Sequence, residues 1–230
     1  MGKRGTIYGV GVGPGDPELI TQKACRLIQE CPVAAVAGTV PEEALAYKIA
    51  LAACPELSGK KCIAVEMPMT RDREKLRVCH RAAAACLETI LDGGEDICFL
   101  TLGDVTLYSS FAYLQDILLA DGFSVVTVSG ISSVSAAAAC LGMPLAIGDV
   151  PLSIIPGTQL TAEILRQPGT CVIMKAGRRI KELKGLLRES GKTVCAVENC
   201  GMPTEKIYRS CEEIPDDAGY FCLLIAGDAV

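Results

Sequence analysis

Histidine is nearly missing from this chain: one residue, His80, in 230. The thirteen cysteines do not compensate, because they are scattered singly and form no C-x-x-C pair. Clustered zinc ligation draws on such pairs and on histidine, so no metal site is expected. The opening residues, MGKRGTIYG, run straight into a strand-like pattern without an apolar signal core. Together with the odd cysteine count, this argues against a disulfide framework. Most thiols fall in apolar faces such as AAAACLETIL and GYFCLLIAG, where cysteine behaves as a small hydrophobe. A thiol-rich interior suits a reducing compartment, and a cytoplasmic protein is the expectation.

Other absences narrow the field. The longest apolar stretches, such as SAAAACLGMPLAI, are too short and too broken by Gly and Pro to span a bilayer. Cations are not in excess: the formal net charge is −5 at pH 7. That leaves no general basic footprint for nucleic acid. Neither a Ser-His-Asp set nor a paired-carboxylate arrangement announces itself, and His80 falls inside a predicted helix as an exposed or packed residue. No internal repeat or low-complexity linker is visible. With 50% hydrophobic and 21% charged residues, the composition is globular, with room for one large core or two modest ones.

What is present alternates. Residues 5–11, 33–37, 61–65, 96–101 and 123–128 read as short strands rich in Val, Ile and Leu. Helical patterns lie between them at 17–30, 42–54, 71–92 and 108–121. This order predicts a mostly parallel α/β sheet. In the first helix, Asp16 is the expected cap and Pro17 the first helical residue. Beyond SGISSVSAAAACLGMPLAIGDVPLSIIPG the texture changes to strands near 152–156, 170–174, 193–197, 205–210 and 220–226, with helices only near 160–166 and 179–189. The acidic turn EEIPDDAG joins the last two strands, and antiparallel pairing is expected there. The expected organisation is an α/β domain over 1–147 and a smaller α+β domain over 148–230, packed around a shared cleft of the kind that holds small ligands.

Three turns carry the chemistry. The first is IYGVGVGPGDPELIT at 7–21. A dinucleotide fingerprint would need its third glycine where Pro14 or Asp16 stands, and a later acid where AAVAG stands. A phosphate loop would need G-K-[ST], which is absent. What remains is either tight connection geometry or a turn whose glycines admit close approach of another group to the backbone. The second turn, in FLTLGDVTLYSSFAYL, puts Leu102, Gly103 and Asp104 at a strand's carboxyl end. The third, VVTVSGISSVSAAAA, repeats strand, glycine, hydroxyls and helix. Ligands of open α/β sheets sit beyond the carboxyl ends of strands. Without a dedicated cation, these turns suit a cationic or zwitterionic ligand and not a polyphosphate.

GVGPGDPELIT, the LGD turn, SGISS and VIMKAG together resemble the tetrapyrrole methylases, which use S-adenosylmethionine. Three stretches are similar in particular to the precorrin-2 or cobalt-factor II carbon-20 methyltransferases of the cobalamin pathway. They are VEMPMTRDREKL at 65–76, GDVTLYSSFAYL at 103–114 and GISSVSAAAACLGMPLAIGDVPLSIIP at 130–156. The resemblance covers essentially the whole chain. Departures fall at Val105 and Ser129, where the family has proline, and at Glu66, where an aromatic is expected.

The resemblance implies S-adenosylmethionine folded between the two domains. Pro14 would flank the cleft, Leu102, Gly103, Asp104 and Leu107 would line the methionine portion, and Ser132 and Ser133 would hydrogen-bond the cofactor. Met174, Cys200 and Gly201 would surround the adenosine. Asp104 is the candidate to accept the proton leaving carbon 20 or to steady the developing cation. The carboxylate-rich tetrapyrrole calls for a basic rim. Arg71, Arg73 and Arg77 in TRDREKLR and Lys175, Arg178 and Arg179 in MKAGRR would supply it, with Tyr108 beside them. A homodimer is also implied. Blander readings stay open: a helix cap for Asp104, core packing for Met174, solvated helix faces for the basic clusters. So do other functions. The chain could be a same-fold methylase acting on another corrinoid position, on an RNA ribose or on a modified histidine, or a catalytically idle binder of tetrapyrrole or cofactor. Net acidity speaks against RNA, and VEMPMTRD against the protein-modifying branch.

Overall fold

The computed structural model describes residues 3–70 and 72–228; Arg71 lies outside the described residues, as does the side chain of Arg178. By its contacts the chain divides into two compact units, one up to Ser132 and one from Ser133.

In the first unit, β1 (Thr6–Gly11), β2 (Val33–Ala37), β3 (Lys61–Val65), β4 (Ile97–Thr101) and β5 (Ser124–Val128) form a sheet in the order β3-β2-β4-β1-β5. Every pairing in it is parallel, as expected. Alternate residues of a strand face opposite sides, and both sides here are apolar. Ile7, Val33, Ala35, Ile97 and Phe99 join a core with α3 (Arg73–Asp92) and α4 (Phe111–Ala120). Val10, Ala34, Val36, Cys98 and Leu100 join another with α1 (Gln22–Glu30) and α2 (Leu45–Ala53). A sheet covered on both faces needs central strands that are apolar nearly throughout, and β2 and β4 stand out in the sequence for that reason. Gly9 is small for a packing reason: a Cβ there would come within 2.1 Å of the Phe111 ring.

The first four helices all start later than their patterns suggest, and in two the local cause is plain. Asp16 accepts from the Glu18 amide at 2.9 Å but caps only a 3-10 turn, Pro17–Leu19. Ile20 is extended, and the Thr21 hydroxyl then caps α1 by accepting from the Ala24 amide at 3.2 Å. The helix expected from residue 108 begins at Phe111, because Tyr108 has φ 53° and a left-handed residue cannot continue a right-handed helix.

The second unit holds α5 (Ser133–Leu141), β6 (Leu152–Pro156), α6 (Ala162–Arg166), β7 (Thr170–Met174), α7 (Ile180–Glu189), β8 (Thr193–Glu198), β9 (Lys206–Tyr208) and β10 (Cys222–Gly227). Its sheet order is β6-β7-β10-β8-β9. Only β6 and β7 are parallel; the other pairings are antiparallel. The last two strands do not pair with each other but flank β8. Buried Glu198, at the end of β8, fixes that arrangement by accepting from the Tyr208 hydroxyl at 2.9 Å and the Gly219 amide at 2.6 Å. The acidic loop between them is anchored by Lys184, whose ammonium donates to the Ile214 carbonyl and, at 2.9 Å, to Asp216. The units part after Ser132, whereas the boundary was expected at 147/148. Helix α5 makes the difference, since it packs on β8 and β10.

All thirteen cysteines are free thiols. Burial pushes several up, Cys31 and Cys62 to about 11 and Cys222 to about 12, which keeps them protonated and inert. Among the described residues no helix is long and apolar enough to cross a membrane.

Candidate functional site

Parallel strands deliver their carboxyl ends to one edge of the first sheet, and there the three glycine bends meet. The Val12 amide donates to the Thr101 carbonyl at 2.9 Å. Gly13 and Gly103 then bond reciprocally, Gly13 N–H to Gly103 O at 3.2 Å and Gly103 N–H to Gly13 O at 2.8 Å. Asp104 ties in the third bend: its Oδ2 accepts from the Gly130 amide at 2.9 Å. Its Oδ1 accepts from the Thr106 amide at 2.7 Å and also from the Thr106 hydroxyl.

The glycines are required by this convergence. A Cβ on Gly11 would lie 2.6 Å from Gly103 O and from Gly130 N, and one on Gly130 would lie 2.4 Å from Gly103 O. Gly13 and Gly103 also have φ of 82° and 72°, conformations glycine adopts at no steric cost. The close backbone approach read from the first turn is thus made by the neighbouring bends. The connections after β1 and β4, adjacent strands, lead to helices on opposite faces, α1 and α4. Their carboxyl ends therefore form the topological switch point where open α/β sheets bind ligands.

Asp104 is not a cap of α4, which starts at Phe111. Leu102, Asp104 and Leu107 are half-buried around the bends, Pro14 and Gly103 are buried, and Ser132 and Ser133 are half-buried after the third bend. Val105 is buried among Phe111, Leu114 and their neighbours. Tyr108 is exposed on its left-handed turn.

In the second unit, the turns leaving β7 and β8 hold two more non-glycine residues in the left-handed region, Lys175 at φ 55° and Asn199 at φ 54°. Such backbone costs on the order of 1–3 kcal/mol and clusters at functional turns. Lys175 keeps solvent exposure as a residue, yet desolvation at its ammonium end draws its pKa below that of an ordinary lysine. Met174 is half-buried. Cys200 is buried, and the Gly201 amide donates to Glu205 Oε2 at 2.7 Å.

The basic candidates divide. Arg73 is exposed at the start of α3. Arg77 makes a two-pronged contact with Glu74 at 2.7 and 3.1 Å, and Arg179 another with Glu182 at 2.6 and 2.9 Å while also donating to Gly157 O at 2.8 Å. His80 is packed, stacked on Tyr113 with ring centroids 4.7 Å apart. An open groove of about 550 Å³ lies at the amino end of β8, lined by Arg188, Lys192, Arg209 and Glu212, apart from the strand-end turns.

Sequence spacing did not signal one cluster. Cys140 and Cys200, sixty positions apart, bring their sulfurs to 3.6 Å, with Glu205 Oε2 at 3.2 Å from Cys140 Sγ. No local pattern marks three residues that only the packing of α5 against the second sheet assembles.

The family described as Tetrapyrrole (Corrin/Porphyrin) Methylases matches residues 6–214. The chain belongs to this family. The cobalamin biosynthesis protein CobIJ of Mycobacterium tuberculosis is 36% identical over 203 residues, covering 83% of this chain and 39% of that protein. The chain therefore spans about two fifths of that relative's length. The cobalt-precorrin-2 C(20)-methyltransferase of Salmonella typhimurium is 32% identical over 220 residues, 93% of this chain and 91% of that one. Among solved structures, the native uroporphyrin III C-methyltransferase of Thermus thermophilus matches with a TM-score of 0.71 at 25% identity, over 97% of each chain. The donor set of this chain fits the cofactor that its resemblance implies. Its three bends carry carboxylates and hydroxyls and no Lys or Arg, which suits a sulfonium-bearing zwitterion.

Proposed function

We propose that this methylase transfers a methyl group from S-adenosylmethionine to carbon 20 of precorrin-2 or its cobalt form, a step of cobalamin biosynthesis. The observation that carries this reading is the convergence of three cation-free bends at the switch point of the first sheet. Similarity to the Salmonella C(20)-methyltransferase over nine tenths of both chains supports the choice of carbon 20.

When bound, S-adenosylmethionine supplies an electrophilic methyl group on a positively charged sulfur. To it we assign Pro14, Leu102, Gly103, Asp104 and Leu107, with the Ser132 and Ser133 hydroxyls for its carboxylate. Met174, Cys200 and Gly201 are assigned to the adenosine. The bridging carbon of a reduced tetrapyrrole is already electron-rich, so the protein's task is alignment and exclusion of water. Asp104 suits a fixed negative charge that steadies the cation developing on the macrocycle. It suits a proton acceptor less, because protonation would weaken the bonds it accepts from Gly130 and Thr106. Arg71, Arg73, Lys175 and Arg178 are assigned to substrate carboxylates beside Tyr108. Arg77 and Arg179 can join them only by sharing Glu74 and Glu182. A cytoplasmic homodimer completes the reading.

Incubation with methyl-labelled S-adenosylmethionine and either metal-free or cobalt-loaded substrate tests it. Label at carbon 20 of one substrate is expected, and its preference fixes the metal state. Binding of both ligands without methylated product would overturn the enzyme in favour of an idle binder, and label at another carbon would overturn the position.

A further inference from the structure

We infer that Cys140, Cys200 and Glu205 form a binding site for a thiophilic divalent ion, with zinc as its reference occupant. The site lies within the second unit and shares Cys200 with the surface assigned to the adenosine, so its test is run without S-adenosylmethionine.

Its geometry is close to what such an ion requires. Zinc bonds thiolate sulfur at about 2.3 Å and carboxylate oxygen at about 2.0–2.2 Å in tetrahedral sites, which puts two sulfurs about 3.8 Å apart and sulfur and oxygen about 3.5 Å apart. The two sulfurs here are 3.6 Å apart, Cys140 Sγ is 3.2 Å from Glu205 Oε2, and all three ligand atoms lie within 4.8 Å of one another. Small side-chain rotations would close the set.

The scaffold is fixed from both sides. Cys140 stands in the last turn of α5, which packs on β8 and β10. Cys200 and Glu205 come from the turn between β8 and β9. Left-handed Asn199 and Gly201 shape that turn, and bonds from the Met202 amide to Asn199 O and from the Glu205 amide to Met202 O, both 2.9 Å, hold it. The Gly201 amide orients Glu205 by donating to the same Oε2 at 2.7 Å, the kind of outer support that ligating carboxylates receive. Cys200 is buried, Cys140 half-buried and Glu205 exposed, so an ion has an entry side and room for water as a fourth ligand.

The ligand chemistry selects the class of ion. Two thiolates favour zinc and similar soft or borderline ions over magnesium or calcium. Binding would replace the two thiol protons, which leave to solvent. The same pair could instead be read as a redox couple. Reactive cysteines, however, sit in electropositive surroundings that favour thiolate, and the neighbour here is a carboxylate. Glu205 is useful to an ion and unhelpful to thiol–disulfide exchange.

The test uses the full chain, reduced, stripped with a chelator and free of S-adenosylmethionine, titrated with cobalt(II) as the spectroscopic probe and then with zinc(II). One ion per chain is expected, with near-ultraviolet thiolate-to-cobalt charge transfer and the visible bands of a tetrahedral ion, all displaced by zinc. Cys140→Ser should abolish the charge-transfer band at this stoichiometry. Glu205→Gln, at an exposed position that leaves the core intact, should weaken zinc binding by about tenfold or more. Circular dichroism checks that both variants fold. Lack of a stoichiometric ion overturns the site, as does a spectrum unchanged in both variants, which would put the ion on other thiols. Formation of a Cys140–Cys200 disulfide with oxidised glutathione, in a protein whose reduced form ignores zinc, overturns it in favour of a redox pair.

Discussion

At the scale of single residues, Asp104 and Gly130 show how a motif that looks ligand-directed is first an internal fastening. Gly130 has backbone on two sides, with Gly103 O and Gly11 within 2.4–2.7 Å of any added Cβ. Gly130→Ala must displace the bends and is expected to lower stability by roughly 1–3 kcal/mol. Urea denaturation measures that loss, and calorimetry should show cofactor binding falling with it. His80 gives a pH signature. Burial against Tyr113 lowers its pKa, so the folded protein resists protonating it. Above about pH 6.5 the ring is neutral in both folded and unfolded chains and contributes nothing. As pH falls through that value the unfolded chain takes up the proton first, and stability drops until the folded pKa is passed. His80→Phe should remove this part of the loss. Comparing urea midpoints of wild type and variant at about pH 7.5 and about pH 5.5 measures the difference. The place of Asp104 at a strand's carboxyl end was legible in the sequence. Its grip on Gly130, twenty-six positions away, was not, because only the assembled sheet brings β4 and β5 to either side of β1.

Among the elements, strands of the first sheet were readable nearly to the residue. The central ones are almost wholly apolar and the runs are punctuated by Gly and Pro, and a sheet covered on both faces demands that pattern. Helix starts were less readable where capping residues compete. Asp16 and Thr21 both satisfy the chemistry of a cap, and the extended Ile20 between them decides for Thr21. Thr21→Ala is accordingly expected to cost about 1 kcal/mol, more than Asp16→Ala, since only Thr21 caps a full helix. Thermal or urea unfolding of the two variants ranks them, and the reverse order would contradict the split. The partner of β9 was equally illegible, for three residues carry no pairing preference of their own. Glu198 supplies it from β8.

For the whole molecule, family membership was legible because its turns recur along the entire chain, whereas the unit boundary was not, since α5 belongs by sequence to the third bend and by packing to the second sheet. The basic rim is the part of the proposed site most open to trial. Arg71→Ala and Arg178→Ala are expected to weaken tetrapyrrole binding while sparing S-adenosylmethionine. Calorimetry with each ligand in turn decides, and equal loss of both would count against a substrate role. Arg77→Ala should do less, because that guanidinium is already held by Glu74.

The three-residue length of β9 has a consequence for assembly. At that margin the second sheet offers a neighbouring chain almost no run of open amides and carbonyls to template against, and short borders of this sort blunt edge-to-edge aggregation. Copies that associate on this side must therefore recognise one another through side chains, leaving the sheet unextended.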